Sequence, residues 1–303
     1  MEPVYIIGAG AIGKALAVCL SNDGMKVVLL RGSVDNGESR QENIRVVFPS
    51  EEIIEAEVTI DTLSNYHRLE GLVVLCIKSY GNATLADTLK DKIDCSPVVL
   101  LQNGLGVEQA FMSFPSVYRC VLFATSQPVS DTELNFKPVA VSPIGRIIGG
   151  DETSLGHIAA LLNTPYFGFR AERDIQPIIW KKAIVNSVFN SVCTLLDTDN
   201  GIFHRNPQAL QIAESLVAEC LRVAEVQGID LNQSEVMDSL LLISRSSDGQ
   251  FISTLQDIRN HRPTEIATLN LAIAGMAAAE HAVIQTRLLG QLTLLKSQLS
   301  INH

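Results

Sequence analysis

Apolar residues follow two rhythms along this chain, and the change falls a little past its middle. In the first half, short β-rich runs alternate with helical spacing. Strand-like runs occupy 4–7, 26–30, 72–77, 97–101, 119–125, 139–141, 146–148 and 166–170. Helical patterns over 15–20, 82–90, 107–112 and 154–162 lie among them. That alternation predicts an α/β domain with a doubly wound, mostly parallel sheet. The runs at 139–141 and 146–148, joined through Ser142-Pro143-Ile144-Gly145, read as an antiparallel hairpin appended to it. From about residue 175 the spacing is helical throughout, over 175–196, 208–227, 234–242 and 264–282. The expected organisation is an N-terminal domain over 1–172 and an all-α domain over 173–303. Two domains with a short joint imply a cleft suited to a substrate.

The first turn carries the most specific motif. Gly8-Ala9-Gly10-Ala11-Ile12-Gly13 follows the strand Val4-Tyr5-Ile6-Ile7 and opens a helix. This is G-x-G-x-x-G in the strand–turn–helix context of a Rossmann-type, dinucleotide-binding domain. Gly8 permits the turn, Gly10 lets the backbone approach a pyrophosphate, and Gly13 lets helix and strand pack closely. The helix N-terminus offers unpaired N–H groups to phosphate oxygens. A plain glycine-rich turn is the alternative reading. At the end of the second strand, where an NAD site usually carries an acid, the chain has Arg31. A guanidinium suits the 2′-phosphate of NADP(H), although a solvated surface arginine would read the same. Asp35 and Glu38 follow in the loop, past the strand end.

Composition narrows the class. The 303 residues are 47% hydrophobic and 18% charged, as expected of a globular protein. A formal net charge of −10 argues against general affinity for nucleic acid or an anionic membrane. Six cysteines show neither C-x-x-C spacing nor a neighbouring histidine cluster, so reduced core thiols and no metal site are expected. No signal-peptide pattern precedes the first strand, and no apolar run is long enough to span a bilayer. A cytoplasmic enzyme is the expectation.

Candidate chemistry concentrates in the second half. Lys182, Asn186 and Asn190 stand at i, i+4 and i+8, on one stripe of a predicted, mostly apolar helix. Such a stripe lines a cleft or forms the wet side of an amphipathic helix. Near 264 a new helix is expected after Pro263, with Glu265 in a first turn where the dipole favours a carboxylate. His261 reads as a surface residue. In the first half, Cys76-Ile77-Lys78-Ser79-Tyr80 and Leu101-Gln102-Asn103-Gly104 both follow strands, at carboxyl ends where α/β sheets bind ligands.

Together these segments resemble the ketopantoate reductase family, from Gly8 to about residue 280. The resemblance rests on the glycine loop, Arg31, the Lys78 turn, Gln102-Asn103-Gly104 and Gly145-Arg146. Its more specific parts are Trp180-x-Lys182-x-x-x-Asn186 and Gln256-Asp257-Ile258 with Thr264-Glu265. It implies a Rossmann domain followed by a helical one, and NADPH-dependent reduction of a branched 2-oxo acid to pantoate. Lys182 would be the general acid, and Glu265 would hydrogen-bond the substrate and Lys182. Asn186, Asn190, Asn200 and Ser253 would hold the substrate hydroxyl and carboxylate. Asn103 would sit near the nicotinamide, and Lys78 near the cofactor ribose and phosphates. The implied state is monomer or homodimer, with a small-molecule substrate. The family commonly continues Thr-Glu with Ile-Asp and Asn-Gly, whereas this chain has Glu265-Ile266-Ala267 and Asn270-Leu271. A loop near 281–286 is also shorter. A reductase of another 2-oxo acid, or an NADP-sensing protein without turnover, are the alternative readings.

Overall fold

The computed structural model describes residues 2–278 and 283–301. The chain runs β1 (Val4–Ile7), α1 (Ala11–Asn22), β2 (Val27–Leu30), β3 (Arg40–Val47), β4 (Ile53–Asp61), β5 (Leu72–Leu75), α2 (Asn82–Leu89) and β6 (Val98–Leu100). It continues through β7 (Val117–Cys120), β8 (Ala124–Pro128), β9 (Glu133–Pro138), β10 (Ser142–Ile148), α3 (Glu152–Leu162) and β11 (Phe169–Ala171). These eleven strands form one sheet, ordered β11-β10-β7-β6-β5-β1-β2-β4-β3-β9-β8.

Six neighbouring strands, β4-β2-β1-β5-β6-β7, are parallel. Counted among themselves they follow the order 3-2-1-4-5-6 of a dinucleotide-binding sheet. The strand order reverses between β1 and β5, so Gly8 and the Lys78 turn both leave the sheet at its ligand-binding edge. β1 and β5 are buried on both faces, which explains their unbroken apolar sequences. Val4 and Ile6 join one apolar cluster with Ala15, Leu16 and Leu20 of α1. Tyr5 and Ile7 join the other, with Leu85, Ala86 and Leu89 of α2.

The remaining strands depart from the expected pattern. No hairpin spans 139–148: Ser142-Pro143-Ile144-Gly145 lies inside β10, which pairs antiparallel with β7 and parallel with β11. Pro143 has no N–H to return, but its carbonyl still accepts from Val121 N at 2.9 Å. Gly145 is no turn glycine: a Cβ would sit 2.7 Å from Ile175 Cγ2. The run 119–125 is divided between β7 and β8, and 107–112 holds only a 3₁₀ turn, Gln109–Phe111. β3 and β4 form an unanticipated antiparallel pair.

The helical part comprises α4 (Gln176–Val188), α5 (Ile202–Arg205), α6 (Pro207–Val226), α7 (Gln233–Ser246), α8 (Ser253–Arg259), α9 (Asn270–Gly275) and α10 (Ile284–Ile301). The expected single helix over 175–196 becomes α4 followed by a π-helical turn, Phe189–Cys193. The expected helix over 264–282 is broken. A 3₁₀ turn at Ile266–Thr268 ends at Leu269, whose φ of −111° and ψ of −105° are not helical, and α9 follows. Residues 279–282 of that expectation lie outside the described residues. The chain divides into two compact units, Met1–Gln102 with Val107–Ile175, and Asn103–Gly106 with Gln176–His303.

Candidate active site

The glycine turn is shaped by contact rather than by flexibility. Gly8 has φ +121°, and a Cβ on it would stand 2.8 Å from the backbone of Cys76 and Ile77. A Cβ on Gly13 would overlap the Gly8 carbonyl oxygen. Gly10 differs: it is exposed, and a Cβ there would meet nothing within 4 Å. It is also the N-cap of α1, with no side-chain cap and no acid in the first turn. Ala9, Ala11 and Ile12 are half-buried around it. The helix therefore presents bare N–H groups beside open space, a cradle that fits a pyrophosphate.

Arg31 follows β2, its backbone N–H donating to the Asp61 carbonyl at 2.9 Å. Its side chain is mostly buried and its fork is already engaged. Nη1 donates to Glu38 Oε2 at 3.1 Å, and Nη2 to Asn36 Oδ1 at 2.9 Å and the Glu38 carbonyl at 2.6 Å. Nε is buried without a partner. A spare donor and a charged fork at the end of β2 fit an adenosine ribose or its 2′-phosphate. Arg31 and its hydrogen bonds lower the Glu38 carboxyl below the usual carboxylate range.

Two turns continue this edge. Lys78 is half-buried and caps the 3₁₀ turn Ser79–Gly81 after β5. Gln102 follows β6, and its amide exchanges hydrogen bonds with that of Asn82 at 2.9 and 2.6 Å. Gln102 Nε2 also donates to the Ile77 carbonyl at 3.0 Å, and Asn82 Nδ2 to the Val107 carbonyl at 2.8 Å. Arg119, buried and paired with Glu108, donates to the Gln102 carbonyl at 3.3 Å. The two turns are thus fastened to each other. Asn82 and Arg119 escaped the sequence reading, because a buried polar residue inside a helix or strand carries no local signature.

Half-buried Asn103 begins the segment 103–106 of the second compact unit. Gly104 has φ +97°, and a Cβ there would lie 2.6 Å from the Thr268 carbonyl oxygen. Leu105 N donates to that carbonyl at 2.7 Å, and Thr268 Oγ1 donates to the Glu265 carbonyl at 2.9 Å. The Asn103 and Glu265 turns are therefore pinned together through Thr268. Glu265 itself is half-buried and precedes the 3₁₀ turn, instead of occupying the first turn of an α-helix.

Lys182 and Asn186 are half-buried one turn apart on α4, and Asn190 is buried in the π-helical turn that follows. Asn190 Nδ2 donates to the Asn186 carbonyl at 2.8 Å. Its Oδ1 accepts from Thr254 N at 3.3 Å and Ser253 Oγ at 3.4 Å. Asn190 and Ser253 are thereby brought together, with Asn190 capping the start of α8. Asn200 belongs to a different cluster. Its Nδ2 donates to Ser247 Oγ at 3.2 Å and its carbonyl accepts from Ser244 Oγ at 2.7 Å, while Oδ1 is buried without a partner. His261 is exposed, with Nδ1 2.6 Å from the Ser300 carbonyl oxygen.

Burial pushes the thiols of Cys19 and Cys193 up to about 12 and that of Cys220 to about 11, so none is a thiolate at neutral pH. Among the described residues no three His, Cys, Asp or Glu residues could hold a metal ion, and no helix is long and apolar enough to cross a membrane.

Comparison with known proteins agrees with this architecture. The ketopantoate reductase PanE/ApbA family pattern matches residues 4–138, and its C-terminal counterpart matches residues 174–296. The chain belongs to the ketopantoate reductase family. It is 26% identical to the 2-dehydropantoate 2-reductase of Halobacterium salinarum over 278 residues, covering 90% of this chain and 91% of that protein. The Pyrococcus abyssi 2-dehydropantoate 2-reductase is 27% identical over 277 residues, 91% of each chain. Solved structures share the fold at lower identity. A dimeric ketopantoate reductase from Staphylococcus aureus superposes with TM-score 0.82 at 19% identity, covering 98% of this chain and 99% of its own. A D-mandelate dehydrogenase with NADH and anilino(oxo)acetate gives 0.83 at 23%, covering 99% of each. Family membership makes the chain an oxidoreductase with a Rossmann-like fold.

Proposed function

We propose that this member of the family reduces 2-dehydropantoate (ketopantoate) to pantoate with NADPH, a step toward pantothenate and coenzyme A. The observation that carries this reading is the pinning of the Asn103 turn to the Glu265 turn through Thr268. It joins the residue expected beside the nicotinamide to the acid expected beside the substrate. The bound nicotinamide supplies the hydride for the carbonyl carbon, and the chain must supply the proton for the oxygen. Lys182 is the proposed donor, its ammonium polarising the keto oxygen and then protonating it. A positioned general acid of this kind is worth about 10²–10⁴-fold in rate. Glu265 accepts hydrogen bonds from the substrate and from Lys182, holding the ammonium toward the ketone.

Asn186, Asn190, Asn200 and Ser253 are the proposed substrate contacts. An amide both donates and accepts, as a substrate with a hydroxyl, a ketone and a carboxylate requires. Gly8 to Gly13 hold the pyrophosphate, Lys78 the ribose and phosphates, and Arg31 the 2′-phosphate. Loss of nicotinamide absorbance on mixing enzyme, NADPH and ketopantoate is the expected result. No turnover of ketopantoate with either NADPH or NADH would refute the reading.

A further inference from the structure

The loop after β2 holds an arrangement that the proposed function does not use. Arg31 is the cation for a 2′-phosphate, yet the loop already supplies it with an anion. Glu38 Oε2 lies 3.1 Å from Nη1, and the Glu38 carbonyl and Asn36 Oδ1 occupy Nη2. Asn36 braces the carboxylate from a second side, its Nδ2 lying 3.3 Å from Glu38 Oε2. The Glu38 backbone N–H returns to Asn36 Oδ1 at 3.2 Å. Glu38 is half exposed, whereas the Arg31 side chain is 14% exposed. The more exposed anion thus lies against the fork of a mostly buried cation.

We propose that Glu38 is a cofactor-specificity determinant, an internal counter-anion that a 2′-phosphate must displace from Arg31 and a 2′-hydroxyl need not. The proposal rests on the reading of Arg31 as the 2′-phosphate group. Two anions cannot share one guanidinium face without repulsion, so NADPH binding includes the cost of moving the carboxylate. A second cation lies on its other side. Arg40 Nη1 stands 3.6 Å from Glu38 Oε1, so a displaced carboxylate keeps a cation beside it. Once the carboxylate leaves, the Nη1 donor it occupied is available to the phosphate. NADH carries no charge at this position and leaves the pair intact. Glu38 therefore narrows the preference for NADPH that Arg31 alone would set.

The test is calorimetric titration of the full chain with NADPH and NADH, for wild type, Glu38→Gln, Arg31→Ala and the double variant. Removing the charge of a half-exposed ion pair should tighten NADPH about two- to fivefold, with NADH changing less than about twofold. In the Arg31→Ala background the Glu38 substitution should have no effect, because the competition acts through that guanidinium. Unchanged or weaker NADPH binding by Glu38→Gln, while Arg31→Ala still weakens it, overturns the Glu38 proposal alone. Equal shifts for both cofactors, or a selective loss of NADH, also overturn it. If Arg31→Ala leaves NADPH affinity untouched, the reading of Arg31 fails, and the proposal with it.

Discussion

A methyl group at position 13 has nowhere to go, whereas one at position 10 meets open space. The two glycines of one motif should therefore fail in opposite ways. Gly13→Ala forces α1 away from the turn, and overpacking of this kind costs about 1–3 kcal/mol, so thermal denaturation should show a lowered Tm. Gly10 has φ −79°, which any residue adopts. Gly10→Ala should keep the wild-type Tm yet weaken NADPH at least about tenfold, its methyl blocking the close approach that the motif requires. Equal Tm losses for both variants would contradict this division. Lys182→Ala should lower kcat by at least about 10²-fold and leave NADPH affinity within about twofold, as stopped-flow and titration would show. Residues of this kind were legible because a motif or a helical spacing announces them. The Glu38–Arg31 pair was not: both residues stand out in the sequence, but no spacing rule says that the loop between β2 and β3 folds back on its own arginine.

At the scale of elements, legibility followed how a segment buries its apolar side. β1 and β5 are buried on both faces and read directly as strands. β3 and β4 hide one face only: Val46 lies opposite Ile54 and Ile44 opposite Ala56, with Val58 and Ile60 buried further along β4 and charged residues between them. Alternation at period two is present there, but Arg45, Glu55 and Glu57 between the apolar positions dilute its signal. α10 is harder still, because its pattern is inverted. Thr286, Gly290, Thr293 and Ser297 face inward, and Leu288, Leu292, Leu295 and Leu299 face solvent. The π-helical turn of Asn190 has no sequence signature at all, yet it sets how Asn190 meets α8.

Asp199 offers a test of element joining. It accepts from Arg205 of α5 at 2.7 and 2.8 Å, from Gly201 N at 2.8 Å and from Gly249 N, beyond α7, at 3.2 Å. The Arg205 hydrogen bonds lower its carboxyl to about 2, below the ordinary value near 3.9. A depressed folded-state value means stabilisation that is present above about pH 4 and is lost as pH falls toward 2. Asp199→Asn should thus be less stable at pH 7 by about 1 kcal/mol, solvent screening limiting the pair. The gap should close between pH 4 and pH 2 in denaturation midpoints, and a gap independent of pH would refute the assignment.

At the scale of the whole molecule, the fold cannot choose the substrate. A ketopantoate reductase and a D-mandelate dehydrogenase superpose on this chain with nearly equal TM-scores, 0.82 and 0.83. Architecture of this kind hosts several chemistries, and side chains decide among them. What distinguishes the two substrate classes is a hydroxyl: ketopantoate carries one beyond its quaternary carbon, and an aryl 2-oxo acid carries none. Asn186, Asn190, Asn200 and Ser253, the proposed contacts, are all hydrogen-bonding groups, and Asn200 Oδ1 is buried without a partner. A site that must satisfy such groups rejects an analogue lacking the hydroxyl, by up to about 10⁴-fold, whereas an apolar pocket separates substrates differing by a hydroxyl by only about 10²-fold. The decisive pair is ketopantoate against 3,3-dimethyl-2-oxobutanoate, which has the same carbon skeleton without the hydroxyl, with phenylglyoxylate as the aryl control. Ketopantoate should exceed the first in kcat/KM by more than about 10²-fold, and the loss should fall mainly on kcat if the hydroxyl orients the ketone toward Lys182. Comparable kcat/KM for all three would mean that the polar side chains are spent on the protein's own hydrogen bonds, as Asn190 already is on Ser253 and Thr254. The substrate would then be a 2-oxo acid recognised by its apolar side chain.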